Sequence, residues 1–249
     1  MIIVVASWRG TGATATALAL AAAAADGAGA WLVEADPAGG VLAGRVQLAP
    51  YAVGGLERVA FPTERRAVIE TLHEVSQRVG EVNLVAAPAD PFRAHSCHQP
   101  RVAWASSLAE LPGTVVVDAG RLRAGTPVWP LLHVADEVLL VSSPEVTAVV
   151  ASQEWVRAGG RVSSIEPGLD ADRCRIVIVE APSGIAFPRA GLLADLGDTC
   201  AGWLPWDSSA VDLLYRGAPI GDRRLRKSPY VNAVQRVAAT LDRSQLVAS

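Results

Sequence analysis

Four stretches of this chain are continuous apolar runs, too short for ordinary helices and bounded by turn residues: Ile2–Ala6, Thr114–Asp118, Glu137–Ser142 and Arg175–Val179. Such runs read as strands covered on both faces, because a strand with one wet face alternates apolar and polar residues. Further strands are predicted at Ala30–Glu34, Val82–Ala86 and Ala201–Leu204. Helical segments fall between and after them, at Thr14–Asp26, Thr63–Val79, Val102–Ala109, Val128–Val134, Pro144–Ala158, Pro188–Leu196, Val211–Gly217 and Tyr230–Asp242. This alternation predicts an α/β fold of three layers, with a mostly parallel central sheet of about seven or eight strands flanked by helices and joined by right-handed crossovers. No internal repeat interrupts it, and Gly159–Gly160 and Glu166–Asp172 read as a surface connection, so residues 1–249 are expected to form a single domain. Ligands of such sheets bind beyond the carboxyl ends of the strands.

Hydrophobic residues make up 51% of the chain and charged residues 19%, which supports a large core and argues against disorder. The net charge of −3 argues against a broad nucleic-acid-binding surface. The densest basic run, Gly221–Tyr230, reads as a solvated loop before the last helix, so DNA is not a favoured partner. Cys97, Cys174 and Cys200 are scattered and unpaired in spacing, which fits a reducing cytoplasm and argues against a disulfide framework or a zinc site. His95 and His98 fall one helical turn apart, but no carboxylate or cysteine pair accompanies them to complete a metal site. No segment is long enough to span a membrane. Ala13–Ala25 resembles a signal-peptide core, yet an apolar strand precedes it and no basic segment does.

Three motifs sit at strand ends. The first is Ser7-Trp8-Arg9-Gly10-Thr11-Gly12-Ala13-Thr14, between the first strand and the first helix. Glycines let backbone N–H groups turn toward an anion, and a helix N-terminus adds favourable partial charge. Against the phosphate-loop pattern G-x-x-x-x-G-K-[ST], Gly12 and Thr14 are in register, Ser7 replaces the first glycine and Ala13 replaces the lysine. Lys227 is the only lysine in the chain, so no shift of register restores one. The second motif, "WLVEADPAGG", ends a strand in Glu34 and Asp36, spaced so that both can point past the sheet edge to orient magnesium-bound or attacking water. The third, "GTVVVDAGRL", ends a buried strand in Asp118, the arrangement of an aspartate that holds magnesium through water. Each motif alone also suits an ordinary capped turn.

Taken together and in this order, the motifs resemble the ParA/MinD family of P-loop ATPases. "WRGTGAT" aligns with that family's deviant Walker A pattern KGGxGK[ST], "EADPAGG" with DxDPQG, and "DAGRL" with DxxxG. The resemblance spans nearly the full chain, including "GWLPWDSS", where a strand leads to a proline-containing loop at Pro205. "NLVAAPADP" and "VDAGRLRAGTPVWPLLHVADEVLLV" resemble the CpaE/TadZ branch, linked to pilus assembly and polar localisation in bacteria. The resemblance implies a P-loop NTPase fold, an ATP or ADP site on residues 7–14 with Pro205 beside the base, and magnesium held by Thr14, Asp36 and Asp118. It also implies that Asp36 serves hydrolysis, and that the chain forms a cytoplasmic homodimer with a protein partner of a localisation or secretion/pilus system.

Both family lysines are missing. By register the phosphate-clamping lysine is Ala13, and the one that reaches across a dimer is Trp8. Losing a cation where transition-state charge builds up slows hydrolysis by orders of magnitude. Arg9 is the adjacent substitute, with a planar fork in place of a compact ammonium. Trp8 is expected to stack on a partner, cap the site or fill it. Three readings follow: a degenerate spatial organiser or scaffold with weak or absent ATP hydrolysis, a slow ATPase using arginine, and a nucleotide-free pseudo-ATPase that acts through protein contacts. Trp203 and Trp206 flank Pro205 and read first as packing residues, with a partner surface as the alternative.

Overall fold

The computed structural model describes residues 1–25, 29–48, 55–62, 67–99, 104–123, 125–160, 168–182 and 188–248. Among them eight strands form one sheet: β1 (Ile2–Ser7), β2 (Ala30–Glu34), β3 (Gln77–Val79), β4 (Val82–Val85), β5 (Thr114–Arg121), β6 (Glu137–Ser142), β7 (Cys174–Val179) and β8 (Cys200–Leu204). Their spatial order is β3-β4-β2-β5-β1-β6-β7-β8. Each neighbouring pair is parallel except β3–β4. The described helices are α1 (Ala13–Ala24), α2 (Leu42–Arg45), α3 (Gly55–Ala60), α4 (Val68–Val75), α5 (Pro91–Ser96), α6 (Trp129–Val134), α7 (Val146–Arg157), α8 (Arg189–Leu196), α9 (Ser208–Tyr215) and α10 (Pro229–Ala248).

Side chains of β1 alternate between two cores, as the pleat requires. Ile2, Val4 and Ala6 join the core closed by Leu56 of α3, Leu72 of α4, Leu132 of α6, Trp155 of α7 and Leu192 of α8. Ile3 and Val5 join the core closed by Leu18 of α1, Leu214 of α9 and Val234 of α10. Both faces are therefore covered, which is why these strands are apolar without alternation. Ala17, Ala19 and Ala21 of α1 are fully buried, so this helix lacks a polar face. The chain runs from β1 outward to β2 on one side, and from β5 back across β1 to β6 on the other. That reversal opens a crevice at the carboxyl end of β1.

Several predicted segments differ. The helix expected over Thr63–Val79 lies outside the described residues at 63–66, runs only as α4, and gives way at the extended Ser76 to β3. Gly80 (φ +59°) and Glu81 form a tight hairpin that pairs β3 antiparallel to β4, so Gln77–Val79 belong to a strand. The helix expected at Val102–Ala109 lies outside the described residues at 102–103 and is a 3₁₀ turn over Ala105–Glu110. Helices α2, α3 and α5 had no counterpart in the sequence reading. The expected surface connection at 166–172 lies outside the described residues at 166–167.

Candidate functional site

Strand β1 delivers the first motif at the crevice. Gly10 (φ +68°) and Gly12 (φ +90°) take left-handed conformations that let the chain fold back and enter α1. The loop is pinned by its own polar groups. Ser7 Oγ accepts the Gly10 N–H at 3.0 Å, Thr11 Oγ1 donates to the Val141 carbonyl at 3.1 Å, and Arg121 Nε donates to the Trp8 carbonyl at 2.7 Å. Helix α1 opens at Gly12 with no side-chain cap and no acidic residue in its first turn, so its N-terminal field is unopposed locally.

The positions of the two missing lysines and of the expected substitute, Arg9, differ in burial. Ala13 is buried in the α1 core. Trp8 turns to the opposite face of the sheet and packs edge-on against Trp155 of α7, with ring centroids 6.0 Å apart. It therefore neither fills nor caps the crevice. Arg9 is exposed and stands 4.0 Å from Glu145, a surface pairing of small energetic weight.

The second and third motifs meet, but not as a pair of equivalent carboxylates. Glu34 is paired in register with Asp118 across β2 and β5 and is buried. Its Oε1 accepts the N–H groups of Val41 (2.6 Å) and Leu42 (2.8 Å), and its Oε2 accepts that of Ala87 (3.0 Å). The expectation that Glu34 points past the sheet edge is thus corrected, because it caps α2 from inside. Burial raises its pKa, and those three backbone bonds pull it back. Asp36 lies just beyond β2, half-buried, with Oδ1 accepting the Ala38 N–H at 2.8 Å. Burial raises its pKa too, opposed by that bond and by the charge of Arg123. A Cβ on Gly120 (φ +63°) would overlap the Asp36 carboxyl, so the third motif's glycine is the seat of the second motif's aspartate.

Asp118 is fully buried. Its Oδ1 accepts the Gly120 N–H at 3.0 Å, while its Oδ2 makes no hydrogen bond of normal geometry. Burial pushes its pKa to about 7, with Thr14 and the Gly120 N–H pulling down and Glu34 and Asp36 pushing up. Thr14 thus acts on the carboxyl from nearby without satisfying Oδ2. A buried, unpaired carboxylate oxygen beside a hydroxyl and a second carboxyl suits a hard cation. Among the described residues no three His, Cys, Asp or Glu side chains converge on one point, so an all-protein metal cage is not built here. Thr14, Asp36 and Asp118 offer oxygens of the kind a hard cation takes, too few to hold one without ligands from outside the protein.

A cavity of about 450 Å³ opens beside the loop, a size that suits a small-molecule ligand. Gly10, Thr11 and Gly12 line one end and Pro205 the other; Trp8, Arg9, Ala13, Thr14, Asp36 and Asp118 do not line it. The sequence reading missed Arg45, Glu180, Tyr215 and Tyr230, all of which do. Glu180 accepts bonds from Trp203 Nε1 and the Trp206 N–H, which holds the Pro205 loop in place. Trp203 is buried, whereas Trp206 is half exposed at the cavity. Tyr230 Oη donates to the Ala15 carbonyl at 3.3 Å. Two of the chain's three tyrosines sit here, the one signal that pointed to them.

Two other sequence features resolve away from the site. His95 is exposed and His98 buried, so they share no face; burial lowers His98 to about 4. In the basic run, Leu225 is buried and Arg224 is engaged by Asp222 on an exposed turn. No described helix is long and apolar enough to cross a membrane.

No family model and no curated protein matches the sequence. Solved structures do match. MinD from Pyrococcus horikoshii OT3, a septum site-determining protein complexed with Mg-ADP, superposes with a TM-score of 0.69 at 15% identity, covering 100% of this chain and 99% of that one. A ParA family ATPase from Chlorobium tepidum TLS gives 0.68 at 17% identity, covering 96% and 97%. The MinC:MinD cell division protein complex of Aquifex aeolicus gives 0.64 at 17%, covering 97% and 94%. The fold is the three-layer α/β fold of the ParA/MinD P-loop ATPases.

Proposed function

We propose that this chain is a spatial organiser in which an adenine nucleotide with magnesium is a conformational ligand, hydrolysed slowly or not at all. One observation carries the reading. The loop has a buried alanine and a tryptophan packed on Trp155 where the family's lysines stand, yet Asp118 is kept, its buried Oδ2 without a hydrogen bond of normal geometry. Ground-state binding by glycine amides, a helix N-terminus and a metal survives the loss of lysine better than transition-state stabilisation does. The solved MinD carries Mg-ADP, which supports the choice of ligand, and the MinC:MinD complex supports a protein partner. Here the chain acts as a homodimer with a partner from a pilus or secretion apparatus, one deviant Walker A domain over residues 1–249. Magnesium supplies Lewis-acid charge when bound; Thr14, Asp36 and Asp118 hold it, and the Pro205 loop orients the base.

Calorimetric titration with ATP and ADP, with and without magnesium, tests this. Saturable magnesium-dependent binding is expected, weakened by Thr14→Ala and Asp118→Ala. Turnover is expected near background and raised by Ala13→Lys. Absence of binding, or brisk turnover that Asp36→Ala abolishes, overturns the reading.

A further inference from the structure

A side-chain cation would strengthen phosphate binding in the cavity, and Arg9, the loop's own cation, does not line it. Among the described lining residues Arg45 alone is cationic; the other charged ones are Glu180, Asp207 and Asp212. Glu180 and Asp207 already accept hydrogen bonds within the protein, the latter from the Ala210 N–H and Ser228 Oγ. Arg45 is held differently from the surface arginines. Its Nη1 donates to Tyr215 Oη at 2.6 Å, and its guanidinium carbon lies 5.1 Å from the centre of the same ring. Both contacts orient the fork without neutralising it, and no carboxylate of the described residues forms an ion pair with it.

Its position is built from the second motif. Glu34 caps the N-terminal end of α2 through Val41 and Leu42, and Arg45 closes that helix one turn later. A Cβ on Gly40 would come within 2.6 Å of Glu34 Oε2, so the second glycine of "AGG" leaves room for that cap. The buried carboxylate and the glycine thus deliver a guanidinium to the wall of the cavity that Gly10–Gly12 and Thr16 also line.

We propose that Arg45 is the phosphate-binding cation of this site, standing in for the lysine absent at position 13. The inference rests on the nucleotide reading above, and the probes are chosen to separate the two. Adenosine, ADP and inorganic pyrophosphate are titrated, with magnesium, into the wild-type chain, Arg45→Gln, Arg45→Lys and the remote charge control Lys227→Gln. Arg45→Gln is expected to weaken ADP and pyrophosphate by roughly 10- to 100-fold, the range for a charge-assisted bond. Adenosine binding is expected to stay within about twofold, Arg45→Lys to recover part of the loss, and Lys227→Gln to match wild type. ADP binding indifferent to Arg45→Gln overturns the inference and leaves the nucleotide reading standing, and so does an equal loss for adenosine and ADP. Arg45-dependent pyrophosphate binding without adenosine or ADP binding overturns the nucleotide reading alone. Binding of none of the three overturns both.

Discussion

Gly120→Ala tests whether the second and third motifs form one structural unit. Gly120 has φ +63°, and a Cβ there would run into the Cβ, carboxyl carbon and Oδ2 of Asp36. Left-handed backbone costs an alanine about 1–2 kcal/mol. Relieving the overlap costs roughly 1–3 kcal/mol more, because Asp36 is half-buried and tied by Oδ1 to the Ala38 N–H. The substitution is therefore expected to destabilise the chain by about 3 kcal/mol, a large share of the 5–15 kcal/mol typical of a domain. Denaturant titration reads this directly. A double-mutant cycle with Asp36→Gly isolates the contact, since glycine removes the Cβ as well as the carboxyl. In that background Gly120→Ala is expected to cost only its backbone strain, leaving an interaction energy of about 1–3 kcal/mol. Equal costs in both backgrounds would refute the claim that Gly120 is where Asp36 sits.

Asp118 makes a pH-dependent prediction. Burial holds its carboxyl near 7 in the folded chain against an ordinary 3.8, so its contribution to stability is present below pH 3.8 and lost as pH rises through 7. In metal-free and nucleotide-free buffer the wild-type chain is expected to lose about 2–3 kcal/mol relative to Asp118→Asn between pH 5 and pH 8. Parallel curves from denaturant titration across that range would refute the burial cost. Glu34→Gln places an amide where three backbone N–H groups now meet a carboxylate. It is expected to cost about 2–3 kcal/mol, against under about 1 kcal/mol for Asp36→Asn; comparable denaturation midpoints for the two variants would refute the division of roles between Glu34 and Asp36.

The strands were legible because burial on both faces leaves uninterrupted apolar runs, and β1, β5, β6 and β7 carry such runs. Strand β3 was not, since it is an edge of three residues whose pairing depends on the Gly80 turn. The Glu34/Asp36 error has a geometric cause. Residues two apart share a side only while the strand continues, and β2 ends at Glu34. Asp118 was legible as the polar end of a buried strand, but its unpaired Oδ2 was not. Arg45 could not be found at all from the sequence, because its contact with Tyr215 joins residues 170 apart.

In the reading proposed above, the linkage between these groups bears on how a nucleotide that is turned over slowly or not at all would act. A ligand shifts a conformational equilibrium only by its difference in affinity for the two states. Moving a population from 1:99 to 99:1 takes about a 10⁴-fold difference, on the order of 5.5 kcal/mol. The loop of the glycine amides is already fixed by hydrogen bonds to Val141 and Arg121. The difference has to come from groups on segments that move relative to the loop. Asp36 and Arg45 both belong to the stretch between β2 and α3, and Glu34 and Gly120 anchor it from below. A phosphate held by Arg45 would load that stretch at one end, and Asp36, if it holds magnesium as proposed, at the other. Hydrolysis demands charge at the transferred phosphate, whereas this coupling demands charge on a movable element. On the reading proposed above, a chain without the first that holds the second would still be switched by nucleotide exchange.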